Sequence, residues 1–279
     1  MTAQIIDGKK IAQNIRENIR TQTAGLKLKP GLAVILVGTD SASQTYVNSK
    51  EKACQEVGFY SEIHRLPEKT KEEQLLLLIK QLNQDNKIHG ILVQLPLPEH
   101  IDANKIILAV DPAKDVDGLH PVNTGALFSG LPSAVLPCTP AGCLELIKST
   151  GLKLIGKKAV VVGRSNIVGK PVAMLLLNEH CTVTLCHSRT ADLAAEVKQA
   201  DIVIAAVGKA GLITGEMLKA GALVIDVGTN RVNGKLTGDV DFVSASKAAG
   251  YITPVPGGVG PMTIAMLMQN TLNAYRAAV

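Results

Sequence analysis

Aromatic residues are what this sequence most lacks: they make up 3% of its 279 residues, with four Tyr, three Phe and no Trp. Proteins that hold single-stranded nucleic acid stack its bases on aromatic rings, and this chain has few to offer. Charge is thin as well. Asp, Glu, Lys and Arg total 19%, against a usual fraction of about 25%. The net charge of +5 is spread along the chain and never forms a basic run. That argues against nucleic acid as a partner and suits a small anionic ligand. There is no run of roughly 18 apolar residues, so no membrane span is expected. Met1–Ile15 mixes Asp, Gln and Lys with isoleucine, unlike the continuous apolar core of a signal peptide. The expected location is the cytoplasm.

Cysteine is scarce too. Cys54, Cys138, Cys143, Cys181 and Cys186 are odd in number and include no CxxC pair, so no disulfide framework follows and reduced, mostly buried thiols are expected. Cys181, Cys186 and His187 lie close together. Their segment reads as a strand, however, and no second ligand cluster completes a tetrahedral set. No metal is expected.

What the sequence does have is apolar residues, 46% of the chain, at a length near the roughly 250–300 residues where one core stops growing. Two domains are expected. Leu32–Val37 (LAVILV) reads as a strand ended by Gly38, and Ser41–Val57 as a helix with Ser41 as N-cap. Ser61–Leu66 reads as a strand, Lys71–Asn83 as a leucine-rich helix, and Ile88–Leu95 (IHGILVQL) as a strand closed by Pro96 and Pro98. Such a β-α-β-α-β series implies a parallel sheet covered on both faces. From Asp111 to Pro140 the chain turns rich in Pro, Gly and Asp, which reads as a crossing between domains with loops over a cleft. Ala141–Thr150 reads as a helix. A second series follows: strand Lys158–Val162, helix Val168–Leu177, strand Thr182–Cys186, helix Ala191–Gln199, then strands Asp201–Val207 and Leu223–Val227. A final amphipathic helix, Gly260–Ala277, is expected to return to the first domain. The fold class is α/β: two doubly wound domains with a cleft between them, the second a Rossmann-type dinucleotide-binding domain.

Within the second series, KKAVVVGRSNIVGKPVAMLLL is strand, glycine turn, then helix. Gly163 permits the tight turn, Gly169 a close approach, and backbone N–H groups at the helix start can hold a pyrophosphate. The spacing is G-x5-G rather than G-x-G-x-x-G, and an ordinary tight βα turn is the competing reading. The next strand ends LCHSRT. Enzymes that use NAD place Asp or Glu there for the ribose 2′-hydroxyl. Here stand His187, Ser188 and Arg189, with Arg164 in the glycine loop. Unless this is merely a solvated strand end, its hydroxyl and guanidinium groups fit a 2′-phosphate, and NADP is favoured over NAD.

In the first series, Tyr46 and Lys50 are spaced i,i+4 on one helix face. A lysine whose ammonium is disfavoured by its surroundings can move protons near neutral pH. For YxxxK alone a solvated face is the commoner reading. Short-chain dehydrogenases share the spacing, but there it follows the dinucleotide site in a single domain. Gln94 sits at the C-terminal end of its strand, where ligands of parallel sheets gather. DVDG places Asp115 and Asp117 in the Asp111–Pro140 crossing, without the further carboxylates that Mg²⁺ or Ca²⁺ would need. PVPGGVGPMT, Pro254–Thr263, reads as a rigid loop whose glycines let backbone approach a ligand.

YVNSK, GILVQLPLP, KDVDGLHPVN, PCTPAG, GRSNIVGKP and PVPGGVGPMT occur in this order from end to end. Together they closely resemble the bifunctional methylenetetrahydrofolate dehydrogenase/methenyltetrahydrofolate cyclohydrolases, the FolD family. The resemblance implies that NADP⁺ takes a hydride from 5,10-methylenetetrahydrofolate, and that water then opens the methenyl cation to 10-formyltetrahydrofolate. It implies Lys50 as the main catalytic residue, Gln94 bonding and tuning it, Tyr46 stacking on the folate, and Asp117 anchoring the pterin. It places cofactor contacts at Gly163, Arg164, Ser165, Gly169, Ser188, Arg189 and Thr229, and substrate contacts at Tyr46, Asp117, Pro256, Gly257, Gly258 and Pro261. It divides the chain into a folate-binding catalytic domain (1–119), an NADP-binding domain (120–263) and a helix (264–279) packing back on the first, in a homodimer formed through the second domain. Thr229 departs from the pattern, since bacterial members commonly have Ile there. Two other readings compete: a two-domain dehydrogenase of a shikimate-like or malate-like acid, and a nucleotide-sensing scaffold without activity.

Overall fold

The computed structural model describes residues 2–279. In chain order its elements are β1 (Gln4–Ile5), α1 (Gly8–Thr23), β2 (Gly31–Val37), α2 (Ser41–Val57), β3 (Tyr60–Leu66), α3 (Glu72–Gln84), β4 (Gly90–Val93), α4 (Ala103–Ala109), α5 (Pro121–Phe128) and α6 (Cys138–Lys148). Then come β5 (Lys158–Val162), α7 (Gly169–Asn178), β6 (Thr182–Cys186), α8 (Leu193–Lys198), β7 (Ile202–Ala205), β8 (Leu223–Asp226), β9 (Asn230–Val232), β10 (Lys235–Thr237), α9 (Phe242–Ala248), β11 (Tyr251–Ile252) and α10 (Val259–Ala278). The chain clusters into two compact units, each made of two stretches: 13–138 with 264–279, and 1–12 with 139–263. The division after 138 differs from the expected one after 119. Residues 120–138, which include α5, cluster with the first unit, and residues 1–12 with the second.

The first unit is built on a three-stranded parallel sheet in the order β3-β2-β4. Its central strand β2 is buried along all seven residues. Alternation sends Leu32, Val34 and Leu36 into one core, with Ile19 of α1, Val47 and Val57 of α2, and Leu267, Met268 and Leu272 of α10. Ala33, Ile35 and Val37 point the other way, against Leu75, Ile79 and Leu82 of α3 and Ile106 of α4. A side chain of this size contributes about 1.5–3 kcal/mol when fully buried, so both faces of one strand anchor helices. The N-cap of α2 is Asp40 rather than Ser41: its carboxylate accepts from Ser43 N at 2.7 Å, satisfying one of the unpaired donors of the first turn. Strand β4 is shorter than the expected Ile88–Leu95. A Cβ on Gly90 would lie 2.6 Å from Val116 Cγ1, and Ile91 N donates to Lys114 O at 2.8 Å. The segment before Asp117 therefore runs along β4, not away from the domain.

The second unit has a six-stranded sheet, β1-β11-β8-β7-β5-β6, in which every pairing is parallel. Among its strands from β5 onward the order is 2-1-3-4-5, ignoring the hairpin, with the N-terminal β1 added at the edge. The order reverses between β5 and β7, which is the topological switch point where doubly wound sheets bind ligands. Val160 and Val162 of β5, Val203 and Ala205 of β7, and Val224 of β8 share a core with Val197 of α8 and Ala245 of α9. The β9–β10 hairpin turns at Asn233-Gly234, both at positive φ (50° and 77°), the twist that closes two-residue hairpins. Among the described residues no helix is long and apolar enough to cross a membrane, and no group of three or more His, Cys, Asp or Glu could hold a metal ion. All five cysteines are free and buried.

Candidate functional site

Three elements of the first unit converge on Lys50. Helix α2 carries it inward, so that it is 7% exposed. Gln94 follows β4 directly, held by its N–H to Ile35 O at 2.8 Å. Lys50 Nζ donates to Gln94 Oε1 at 2.8 Å, and Gln94 Nε2 donates to Leu95 O at 2.7 Å. The second bond fixes the amide with its oxygen toward the lysine. The loop after Val116 supplies Asp117. Burial holds the Lys50 ammonium below the usual lysine range, opposed chiefly by the negative charge of Asp117. Burial likewise pushes Asp117 above the usual carboxylate range, opposed by Lys50. Each charge is costly alone and is sustained by the other. Tyr46, one turn before Lys50 on α2, is 39% exposed, open to a ligand.

The two aspartates of DVDG do different work. Asp115 is buried and accepts from Leu119 N (3.2 Å), His120 N (2.8 Å) and Asn123 Nδ2 (2.8 Å). It holds the loop. Asp117 is partly exposed, and no described backbone N–H donates to its side chain. Gly118, at φ 71°, lies so close to Leu136 and Pro137 that a Cβ would be 2.6 Å from Pro137 N. Asn270 of α10 ties both segments, donating to Val116 O and Leu136 O at 2.9 Å each. Cys138, fully buried, donates to Val116 O at 3.2 Å.

In the second unit the glycine loop lies at the switch point. Gly163 has φ 122°, and a Cβ there would be 2.0 Å from Ala206 O, just past β7. Gly169 opens α7, where a Cβ would be 2.0 Å from Gly163 O. Both glycines serve close backbone packing. The donors at the helix start are partly taken: Ser165 Oγ accepts from Val168 N (3.2 Å) and Gly169 N (3.3 Å). The N-cap position itself is Val168, so Ser165, from within the loop, satisfies the donors that a capping side chain would otherwise take. The N–H groups that stay unclaimed among the described residues belong to the exposed stretch Arg164–Ile167, which shifts the anion cradle expected at the helix start into the loop. Strand β6 pairs with β5, and Gly163 N donates to Cys186 O at 2.9 Å, so the loops after the two strands begin side by side. After β6, His187 N donates to Thr190 Oγ1 and Arg189 N to His187 Nδ1, while the side chains of Ser188 and Arg189 are exposed. Arg164, Ser188 and Arg189 make no side-chain hydrogen bond or ion pair among the described residues. With no carboxylate at this strand end, these groups fit a phosphorylated ribose.

Two family models cover most of the chain: the tetrahydrofolate dehydrogenase/cyclohydrolase catalytic domain over residues 6–117, and the NAD(P)-binding domain of the same family over 137–279. The chain belongs to the tetrahydrofolate dehydrogenase/cyclohydrolase family. It is 63% identical to the bifunctional protein FolD of Moorella thermoacetica over 99% of this chain and 100% of the relative. Among solved structures it matches FolD of Campylobacter jejuni at TM-score 0.97 and 49% identity, over 99% of this chain and 100% of that one. It also matches the Trypanosoma brucei FolD complexed with NADP cofactor and inhibitor, at TM-score 0.96 and 43% identity, over 99% and 98% of the two chains. A shikimate-like or malate-like dehydrogenase would not carry this identity along its whole length.

Within this dehydrogenase/cyclohydrolase frame, the loop at Pro254–Pro261 has a second explanation. A Cβ on Gly8 would lie 2.0 Å from Gly258 O, Lys9 N donates to Gly257 O at 3.1 Å, and Gly257 has φ 110°. A Cβ on Gly258 would lie 2.7 Å from Pro254 O. The close approach these glycines permit is made with the chain's own N-terminus and the loop itself, so they need no ligand to account for them. Pro256 precedes the glycines and Pro261 lies in the first turn of α10. Thr229 is exposed, so the departure from Ile costs the core nothing. Four residues have a place here that the motifs did not assign: Cys138, Asn270, Asp226 and Asp239. Asp226 ends the apolar strand LVID and Asp239 stands in TGDVDF; a carboxylate closing a buried strand is the signal that could have found the first.

Proposed function

We propose that this protein oxidises 5,10-methylenetetrahydrofolate with NADP⁺ and hydrolyses the resulting methenyl compound to 10-formyltetrahydrofolate. The observation that carries the reading is the buried Lys50 amine, fixed on Gln94 at 2.8 Å with Asp117 beside it. In the first reaction a hydride, with its electron pair, leaves the one-carbon centre, and NADP⁺ when bound is its acceptor. The folate nitrogen lone pairs stabilise the cation left behind, so this step needs alignment more than a base. In the second, water forms a bond to the cationic carbon and gives up both its protons as its oxygen becomes the formyl carbonyl: one is released to solvent, and the other goes to the ring nitrogen whose bond to that carbon breaks. Lys50 manages those protons, because burial lowers its pKa below the ordinary lysine value and so favours the neutral amine that can take up a proton. Gln94 accepts one Nζ hydrogen and so aims the amine. Asp117 offers a carboxylate to the N–H edge of the pterin, and Tyr46 a ring to stack on. Pro256, Gly257, Gly258 and Pro261 lie against folate or nicotinamide, and Thr229 against the cofactor. The loop that Gly163 opens and Gly169 closes receives the pyrophosphate on Arg164, Ser165 and the free N–H groups between the two glycines, and Ser188 and Arg189, with Arg164, receive the 2′-phosphate. Two copies form a homodimer through the second unit, whose edge strand β6 exposes Thr182, Thr184 and Leu185.

The test is a single assay that follows NADPH and methenyl absorbance together, with NADP⁺ and NAD⁺ compared. Lys50→Met abolishes hydrolysis of the methenyl compound. A variant that hydrolyses at the full rate removes Lys50 from the mechanism.

A further inference from the structure

The second unit buries two carboxylates that the chemistry above leaves unused. Asp226 is 4% exposed and Asp239 0%. Asp239 Oδ2 accepts from Val207 N at 2.6 Å and Gly208 N at 3.0 Å, in the loop that follows β7. Its Oδ1 accepts from Asn230 Nδ2 at 2.8 Å. Asp226, at the end of β8, accepts from Gly228 N (2.9 Å) and Asp239 N (2.8 Å) with one oxygen, and from Val240 N (3.0 Å) with the other. Neither glycine beside the pair tolerates a side chain: a Cβ on Gly228 would lie 2.3 Å from Asp239 N, and one on Gly238 1.8 Å from Asp226 Oδ2.

The strand order tells which part of a dinucleotide these loops would meet. A 2′-phosphate held after β6 and a pyrophosphate held after β5 leave the nicotinamide end on the far side of β5. There lie β7 and then β8, because ligands cross the carboxyl edge at the switch point. The loop after β7 already touches the phosphate loop, since Ala206 O lies where a Gly163 Cβ would be. The loop after β8 carries Gly228 and Thr229 and ends at Asn230, the first residue of β9. Among the described residues Asp239 is the one side chain that bonds both, at Val207–Gly208 and at Asn230.

We propose that Asp239, acting through Asn230, is a positioning residue for hydride transfer: it sets the spacing of the two loops between which the nicotinamide ring is held. The proposal rests on the reading of this unit as the NADP site. Cutting the link leaves the phosphate-binding groups in place and lets the ring wander. A misplacement of about 1 Å costs on the order of a hundredfold in rate.

Asn230→Ala removes only the outer bond. Asp239→Asn keeps an acceptor for Val207 N and Gly208 N if its oxygen faces them, and Asn230 can turn its own amide oxygen toward the new NH₂ group. For each variant the dehydrogenase kcat, the NADP⁺ dissociation constant, the cyclohydrolase rate and the melting temperature are measured. In Asn230→Ala the expected result is a kcat for NADP⁺ reduction lowered roughly ten- to hundredfold. NADP⁺ affinity changes by less than about threefold and cyclohydrolase stays within about twofold of wild type. In Asp239→Asn the kcat loss is smaller, because the link can re-form. A lower melting temperature with unchanged kcat in Asn230→Ala overturns the proposal, and so does an equal loss of both activities, since either makes the pair purely structural. Wild-type protein that fails to bind NADP⁺ overturns instead the reading on which the proposal rests.

Discussion

Replacing Gly163 by Ala tests whether the glycine loop is required by packing at the switch point. The added methyl would stand 2.0 Å from Ala206 O and 2.8 Å from Ala206 C, whereas carbon and oxygen need roughly 3.3 Å. The ends of β5 and β7 must then part by more than about 1 Å. That loosens the bond from Ala206 N to Val162 O (2.8 Å) and the bond from Gly163 N to Cys186 O (2.9 Å). Two bonds at about 1 kcal/mol each, with about 1–3 kcal/mol for a side chain at φ 122°, give a loss of roughly 3–5 kcal/mol. At about 2–4 °C per kcal/mol, the melting transition of this unit falls by roughly 6–20 °C. Gly156→Ala is the control. It has φ 76° with nothing within 4 Å of a Cβ, so only the conformational cost of about 1 kcal/mol applies. Calorimetry of both variants, with NADP⁺ titration and both activity assays, is the measurement. Gly163→Ala loses NADP⁺ binding and dehydrogenase activity and keeps cyclohydrolase, whose residues lie in the other unit. The packing argument fails if Gly163→Ala melts with Gly156→Ala and binds NADP⁺ like wild type.

Lys50 has a folded pKa below the 10.5 of a free lysine, so between those two values the unfolded chain binds more protons and stability rises with pH. Denaturant midpoints of wild type and Lys50→Met, compared at about pH 7 and about pH 9.5, move in favour of wild type at the higher pH; a pH-independent difference refutes burial as the cause. Arg164→Ala combined with Ser188→Ala lowers the preference for NADP⁺ over NAD⁺, measured as the ratio of their kcat/KM values; an unchanged ratio removes both residues from 2′-phosphate recognition. Sedimentation equilibrium of the wild-type protein gives twice the chain mass, which Leu185→Lys on the edge of β6 lowers; a monomeric wild type ends the proposed pairing.

Much of this fold was legible because the parallel strands are buried on both faces and so read as short, uninterrupted apolar runs. Leu32–Val37 falls within the fully buried β2, and Lys158–Val162 coincides with β5, which is buried from Ala159 onward; Thr182–Cys186 coincides with β6 although that edge strand is largely exposed, its alternating Thr and apolar residues giving the signal. Helix α1 was legible in principle, since Ile11, Ile15 and Ile19 recur every four residues, but its polar composition hid that stripe. The β9–β10 hairpin had its own signal in Asn233-Gly234. The clustering of residues 120–138 with the first unit was not legible. Residues 120–138 look like linker because they are rich in Pro and Gly, yet Asp115, Asn123 and Asn270 pin them to the first unit by side-chain bonds that no local pattern announces. The lysine pocket was half legible. YxxxK put Tyr46 and Lys50 on one helix, but a hydrogen bond from Lys50 to Gln94, 44 residues away, follows only from the register of β2 with β4.

Buried charge alone does not separate scaffold from machinery in this chain; the partners of each group do. Asp115, Asp226 and Asp239 each accept three hydrogen bonds, mostly from backbone N–H groups. A carboxylate so surrounded has its negative charge spread over fixed dipoles and little capacity left for a ligand. Burial pushes even Asp226 up only to about 6, because its three backbone donors oppose the shift, so it is still mostly charged near neutral pH. Asp117 differs in kind. It lies beside a lysine and a thiol, and no described backbone donor satisfies it, so its acceptor sites face whatever N–H groups a ligand brings. Lys50 is the matching case among cations: one fixed acceptor, Gln94, and an amine otherwise free to exchange a proton. The residues to which chemistry is assigned are thus those whose burial is incompletely compensated by the fold, and a bound substrate with complementary N–H groups would complete it.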